Sequence, residues 1–329
     1  MSALAFVLSW VAHSTALALV ALLMPRLFGV RHPGLLVFWW QGGAAGVVLL
    51  PLIPLLLPLR PTGSGNAVDT SVERGANMLA PKVHTTQNTS KATLLALLLL
   101  IGVAVRLGWL VAGQRHLTRL AAAGTPVEHD PALAQARATT GVQVPVIAAA
   151  SAGPCAFGFS QVRVLVPEAL RERPDDQRLA VYLHELVHVV RCDVQRAYGD
   201  ETWRVIWWWQ PSVWWLLARL QLAREYEVDQ AVIRQAVPRR AYVDALLWCS
   251  GLRPVWSLSP QVGGSHHALV RRVTMFCEEV EMSRMRRWIT ASAMVLTSAT
   301  AAAVVGVVTP LQATRLGQTG DATEAGPLE

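Results

Sequence analysis

His184, Glu185 and His188 stand in the spacing His-Glu-x-x-His, a pattern whose residue types could carry out metal-assisted hydrolysis. On a helix, residues four apart share one face, so the two imidazoles can hold one Zn²⁺ from the same side. Glu185 then stands beside the metal, placed to take a proton from a water that the metal polarises. Two histidines do not complete such a centre, which ordinarily has three protein ligands and one open position. The run Ala223 to Asp229 can supply the third. Glu225 and Asp229 are again four apart, so Glu225 can ligate while Asp229 accepts a hydrogen bond from a ligating histidine and fixes its tautomer. Glu227 is the competing ligand, and a solvated acidic face paired with Arg224 or Arg234 is the reading without a metal.

The elements that must position these groups are legible in outline. Asp175 or Asp176 can cap a helix whose buried stripe is Leu179, Leu183, Leu186, Val187 and Val190, and this helix contains the histidines. Pro211 and Pro238 bracket the helix with the acids. Upstream, residues 142–149 suggest a strand and 156–166 one or two more around Gly158. There Val162, Val164 and Val166 alternate with Gln161, Arg163 and Leu165, and Pro167 ends the run. Ala156, Phe157, Gly158 and Phe159 are the candidate edge for pairing with an extended substrate. Residues 114–138 read as a polar helix-and-loop connection.

With 53% hydrophobic and 16% charged residues, the 329-residue chain is too apolar for an ordinary soluble domain. The apolar residues cluster in runs of membrane-crossing length, predicting spans at 2–24, 35–59, 92–113 and 288–310. The first lacks the basic start of a cleaved signal, its first charge being Arg26. Arg26 and Arg31 mark the first connection as cytoplasmic. Residues 114–287 hold 21 Arg against 17 acidic residues, which places them on the same side. The prediction is an N-terminus outside, a polar extracytoplasmic loop at 60–91, a cytoplasmic peptidase domain at 114–287, and a short extracytoplasmic tail at 311–329. The net charge of +7 fits arginines facing anionic lipid, with no basic-aromatic motif of a nucleic-acid reader, so no direct nucleic-acid binding is expected. Cys155, Cys192, Cys249 and Cys277 lack CxxC spacing and read as reduced thiols. Arg106 in the third span reads as an arginine snorkelling to the interface. The tryptophans of 203–215 suggest docking on the membrane surface, with an apolar substrate groove or plain core as alternatives.

Three linked runs carry a family resemblance: His184-Glu-Leu-Val-His-Val-Val-Arg-Cys-Asp193, Trp209-Gln-Pro-Ser-Val-Trp214, and Arg224-Glu-Tyr-Glu-Val-Asp229. Together they resemble the BlaR/MecR-type antirepressor membrane zinc metallopeptidases, whose layout of four spans with the peptidase between the third and fourth also matches. Gln210 and Val228 depart from the family's usual Asn and Cys, and Gln161 departs from its Pro-containing segment. None of the three is a proposed ligand. The resemblance implies a polytopic α-helical membrane protein with an embedded α+β, gluzincin-like peptidase domain, mainly helical with a small sheet. It implies zinc on His184, His188 and Glu225, with Glu185 as general base and Asp229 behind a ligand. His266 or His267, six and five residues before Arg272, is similar to an oxyanion-stabilising histidine of related gluzincins; Tyr226 and Tyr242 are alternatives. After residue 310 about twenty residues remain, too few for the penicillin-binding sensor of some relatives. The expected partners are therefore a protein substrate such as a transcriptional repressor, or the peptidase itself, together with the lipid bilayer and a separate sensor protein. The rival readings are a non-enzymatic, zinc-stabilised signal transducer and a heat-shock-type quality-control protease.

Overall fold

The computed structural model describes residues 3–49, 86–150, 153–235, 237–252, 270–274 and 282–308. It is mostly helical with one small sheet. Helices α1 (Ala3–Leu27), α2 (Pro33–Leu49) and α3 (Thr86–Ala123) come first. Strand β1 (Thr125–Pro126), helix α4 (Pro131–Thr140) and strands β2 (Val146–Ala149), β3 (Cys155–Phe157) and β4 (Arg163–Pro167) follow. Helices α5 (Asp175–Val190), α6 (Asp193–Ile206), α7 (Pro211–Arg234), α8 (Arg239–Ser250) and α9 (Arg284–Val308) complete the described chain.

Among the described residues, stretches within two helices are long and apolar enough to cross a membrane: Trp10–Leu27 in α1 and Thr93–Ala123 in α3. The third apolar run is longer than its composition suggests. Residues 86–91, expected in a loop, already belong to α3, and the helix continues to Ala123 through the expected polar connection. The 60–85 part of the predicted loop, the end of the second span and the 311–329 tail lie outside the described residues, as do His266, His267 and Cys277.

The sheet order is β1-β2-β4-β3, with β2 and β4 parallel and both outer pairs antiparallel. β4 departs from strict alternation, since Val164, Leu165 and Val166 are all buried. The reason is that the sheet is covered on both faces. Val164 and Val166 join α4, α5, α7 and α8 in the main core, while Leu165 packs with Phe157 and with Leu117 and Ala121 from the end of α3. A strand covered on both sides reads as a continuous apolar run. Gly158, just after β3, has φ +100°, and a side chain there would overlap the Gln161 carbonyl; glycine permits the turn back into β4.

Helix α4 shows its start and stop in sequence. Asp130 accepts from the Ala132 N–H at 2.9 Å, Pro131 opens the helix, and Gly141 ends it in the left-handed conformation. The other carboxylate oxygen of Asp130 accepts from Tyr182 Oη at 2.9 Å, which fixes α4 against α5. The expected Asp cap of α5 is replaced by Pro174. Asp175 and Asp176 instead occupy the first turn, where their charge still suits the helix dipole.

Helix α7 belongs to two cores. Its first half, with Leu216, Leu217 and Leu220, packs against Ala21 of α1, Trp39, Trp40 and Val47 of α2, and Met294 of α9. Its second half, with Val228 and Val232, packs into the main core against Leu183 and Leu186 of α5. Trp203 is exposed, and the other five tryptophans of 203–215 are half-buried against partners. Trp207 and Trp209 stack on Trp10 at 4.5 and 4.8 Å, Trp215 meets Trp40 edge-on at 5.8 Å, and Trp208 Nε1 donates to the Leu99 carbonyl at 3.2 Å. Gly102 of α3 leaves the room that the Trp208 indole occupies. Arg106, expected to snorkel outward, instead turns to α6 and pairs with Glu201 at 2.6 Å, its guanidinium over the Trp109 and Trp214 rings.

Leu186 is fully buried between α5 and the second half of α7. Leu186→Ala is expected to cost about 2–5 kcal/mol, lowering the unfolding midpoint in mild detergent. Leu98→Ala, on the exposed side of α3, should leave the midpoint nearly unchanged.

Candidate metal centre

His184 and His188 project from the same face of α5, and Glu225 meets them from α7. His184 Nε2 lies 3.3 Å from His188 Nε2 and 3.4 Å from Glu225 Oε2, and His188 Nε2 lies 3.6 Å from Glu225 Oε1. These three residues form a cluster able to hold a metal ion, with ligand atoms within 4.8 Å of one another. A tetrahedral ion with bonds of about 2.0–2.1 Å needs donors about 3.3 Å apart, and the carboxylate of Glu225 brings one oxygen to each imidazole nitrogen at close to that separation. Glu227, the competing ligand, points elsewhere and forms an ion pair with Arg191.

Both histidines present Nε2 to the cluster and Nδ1 to a partner behind. His188 Nδ1 is 3.2 Å from Asp193 Oδ2. Asp193 reaches back because the chain breaks between α5 and α6 at Cys192, whose φ of +56° is rare for a residue other than glycine. Arg191 and Arg196 also bond Asp193, at 3.1 and 3.2 Å. Burial alone would raise the Asp193 carboxyl, but the His188 hydrogen bond and the charges of His188 and Arg191 hold it below its usual range.

Behind His184 the expected direct bond to Asp229 is replaced by a relay. His184 Nδ1 is 2.9 Å from Tyr242 Oη, which donates to Asp229 Oδ1 at 2.5 Å, while His184 Nδ1 and Asp229 Oδ1 are 3.6 Å apart. Arg272 clamps Asp229 through Nε and Nη2 at 2.9 and 2.5 Å and reaches Glu225 Oε2 at 3.3 Å through Nη1. The Tyr242 hydroxyl is thereby committed behind His184, and Tyr226 is buried in the apolar cluster of α1, α2 and α7.

Glu185 is 5% exposed, on the buried side of α5. Burial pushes its carboxyl above the usual range, opposed by the charges of His184 and His188 and assisted by Glu225. Burial would also raise Glu225, yet Arg272 and the two histidines hold it well below the usual range. Burial would lower His188, but Glu225, the Asp193 hydrogen bond and Glu185 bring it up to about 9. Cys155 of β3 and Cys249 of α8 are both pushed up to about 12, first by burial and then by the charge of Glu185. Both are uncharged thiols near the centre, neither nucleophiles nor ligands.

Of the candidate substrate edge, Ala156 and Phe157 lie in β3, which is an outer strand of the sheet and packs on α5. Gly158 and Phe159 lie beyond the strand, in the turn. The Gly158 N–H donates to Tyr198 Oη at 3.3 Å, and Phe159 is 65% exposed against the Tyr198 ring.

A family model described as BlaR1 peptidase M56 matches residues 58–276 of this chain. The chain belongs to that family. Among curated proteins, the regulatory protein BlaR1 of Bacillus licheniformis is 28% identical over 81 residues, a stretch covering 25% of this chain and 14% of that protein. The M56 match spans every donor described above. As a member of a BlaR1-type peptidase family, the chain is assigned to the proteases, and its His-His-Glu cluster suits a metallopeptidase.

Two groups of this M56 centre carried no assigned role in the sequence. Asp193 was visible within His188-Val-Val-Arg-Cys-Asp193, but helical spacing puts a residue five on from a histidine off its face. Arg272 lies far along the chain from both acids it holds, and no local pattern pairs them.

Because His188 is held protonated near neutral pH by the acids around it, a metal must displace a proton to enter. Calorimetric Zn²⁺ titrations at pH 7.5, in buffers of different ionisation enthalpy, should show release of about one proton per ion. Affinity should rise with pH until about 9 and then level off.

Proposed function

We propose that this chain is a membrane-bound zinc endopeptidase that hydrolyses peptide bonds in a cytoplasmic or membrane-proximal protein. The observation that carries the reading is the convergence of His184, His188 and Glu225, with the buried carboxyl of Glu185 beside them. Two imidazoles and a carboxylate fit Zn²⁺, which when bound supplies a Lewis acid and lowers the pKa of a water. His184, His188 and Glu225 would hold the ion. Tyr242 with Asp229, and Asp193, keep the two histidines in the tautomer with Nε2 free. Glu185 takes the water proton and passes it to the leaving amine; a carboxyl raised by burial above its usual range is suited to both transfers. The free edge of β3 at Ala156 and Phe157 offers backbone hydrogen bonds to an extended substrate, with Gly158 and Phe159 shaping its end.

The remaining features are read in the same way. The chain crosses a bacterial-type cell membrane four times, with both termini outside and residues 114–287 on the cytoplasmic side. The role is regulatory, through cleavage of a repressor or of the peptidase itself, triggered by a separate sensor protein. This rests on the M56 family membership and the likeness to a regulatory protein BlaR1.

Glu185→Ala separates this reading from a zinc-stabilised transducer without enzymatic activity. Zn²⁺ content should be retained, while peptide hydrolysis by the purified protein falls by about 10²–10⁴-fold. New protein N-termini seen in cells with the native chain should vanish. Unchanged N-termini would remove the protease reading, and broad cleavage of misfolded membrane proteins would indicate quality control rather than signalling.

A further inference from the structure

The segment joining α6 to α7 lies far from the metal centre and deep among the apolar helices. Two independent rulers give its depth. Along α3, Gln114 accepts from Tyr198 Oη at 2.7 Å near the end of the apolar run, Arg106 meets Glu201, and Leu99 meets Trp208. From Gln114 to Leu99 is about 22 Å of helix. Along α1, the end of the apolar run is Arg26, Ser14 bonds Gln210, and Trp10 stacks on Trp207 and Trp209. From Arg26 to Ser14 and Trp10 is about 18 to 24 Å. Both helices therefore put the turn at residues 207–210 at the same level. In a hydrocarbon core of about 30 Å, that level is past the midplane.

We propose that residues 199–215 form a re-entrant hairpin inserted in the bilayer from the cytoplasmic side, with lipid chains covering its outer face. The proposal rests on the spanning assignment of α1 and α3. The turn meets the main demand of hydrocarbon, that backbone groups be satisfied from within. Trp207 N–H donates to the Trp203 carbonyl, Gln210 N–H to Trp207, and Val213 N–H to Gln210. The Trp208 carbonyl accepts from Trp214 Nε1 at 3.0 Å. Several polar side chains are also paired inward, while Trp207 Nε1, Arg204 Nε and Gln210 Oε1 are buried without a hydrogen-bond partner. Glu201 holds both Arg106 and Arg204, and Gln210 bonds Ser14 and Ser212. Charged groups at membrane depth behave in this way, facing protein partners rather than lipid. Outward stand Trp203, 40% exposed, and Ile206, 46% exposed, together with Thr202, whose hydroxyl donates to the Tyr198 carbonyl of its own helix at 3.0 Å. The helices that form its arms, α6 and α7, reach the metal centre outside the hairpin, at Asp193 and Glu225. The centre is thereby fixed at the headgroup level.

The test uses the full chain in proteoliposomes, with the four native cysteines replaced by Ser and a nitroxide on a single new cysteine. Ile206→Cys probes the hairpin, Leu98→Cys the middle of α3, and Asp176→Cys the exposed start of α5. The ratio of oxygen to nickel-chelate relaxation should match at Ile206 and Leu98, about tenfold above that at Asp176. A water-like ratio at Ile206 with a lipid-like ratio at Leu98 overturns the hairpin alone. Water-like ratios at both overturn the spanning assignment and the hairpin with it. A label at Ile206 shielded from both reagents indicates a second copy of the chain as the cover and overturns lipid as the occupant. Hydrogen exchange of the unsubstituted chain in nanodiscs guards against a misfolded variant. The amides of residues 207–210 should stay protected for hours, and exchange within seconds overturns the proposal.

Discussion

Two imidazole nitrogens and a carboxylate from two helices must converge at separations of 3.3–3.6 Å, and the structure around them follows from that requirement. Helices α5 and α7 must meet at the level of His184, His188 and Glu225, so the apolar residues of both are spent on that contact. Leu183 and Leu186 from one helix face Val228 and Val232 from the other. Convergent polar groups are costly to bury, and each is matched. Asp193 and the Tyr242–Asp229 pair stand behind the imidazoles, Arg272 joins Asp229 to Glu225, and Arg191 secures both Asp193 and Glu227. The arginines keep the acids ionised, and the acids keep the imidazoles oriented. Removing one member would leave another buried and uncompensated.

Helix α7 connects this centre to the apolar helices. Its first half packs against α1, α2 and α9. Its second half supplies Glu225 and Asp229. Helix α6 duplicates the connection. Asp193 at its start orients His188, Asp200 pairs with Arg224 of α7 at 2.5 Å, and Glu201 pairs with Arg106 of α3. A displacement of α1 or α3 would therefore act directly on the helices bearing the donors.

What the sequence made legible were the parts governed by local periodicity. His-Glu-x-x-His needs only a helix, Glu225 and Asp229 need only helical spacing, and Pro211 opens α7 as expected. Interactions across the fold were not legible. Asp229 was expected to bond a histidine directly, but a distant residue, Tyr242, stands between them. Asp193 depends on one left-handed residue at Cys192, which no pattern announces. β4 was read as half-buried because alternation is the usual signal, whereas a strand covered by α3 on one face and α5 on the other obeys a different rule. The tryptophans of 203–215 are equally compatible with surface, groove and core by composition, and only their partners on α1, α2 and α3 decide among them.

The same electrostatic arrangement selects which group near the centre can react. Cys155 and Cys249 lie close enough to Glu185 for its charge to raise their thiols, and burial raises them further, to about 12. A thiolate here would be a strong nucleophile and a competing metal ligand. Burial also raises Glu185, but the charges of both histidines oppose that rise. Arg272 and Arg173 oppose the rise of the Cys249 thiol in the same way, while at Cys155 burial and the charge of Glu185 act together. Within the proposed function, Glu185 is then the group suited to activate a water beside the donors.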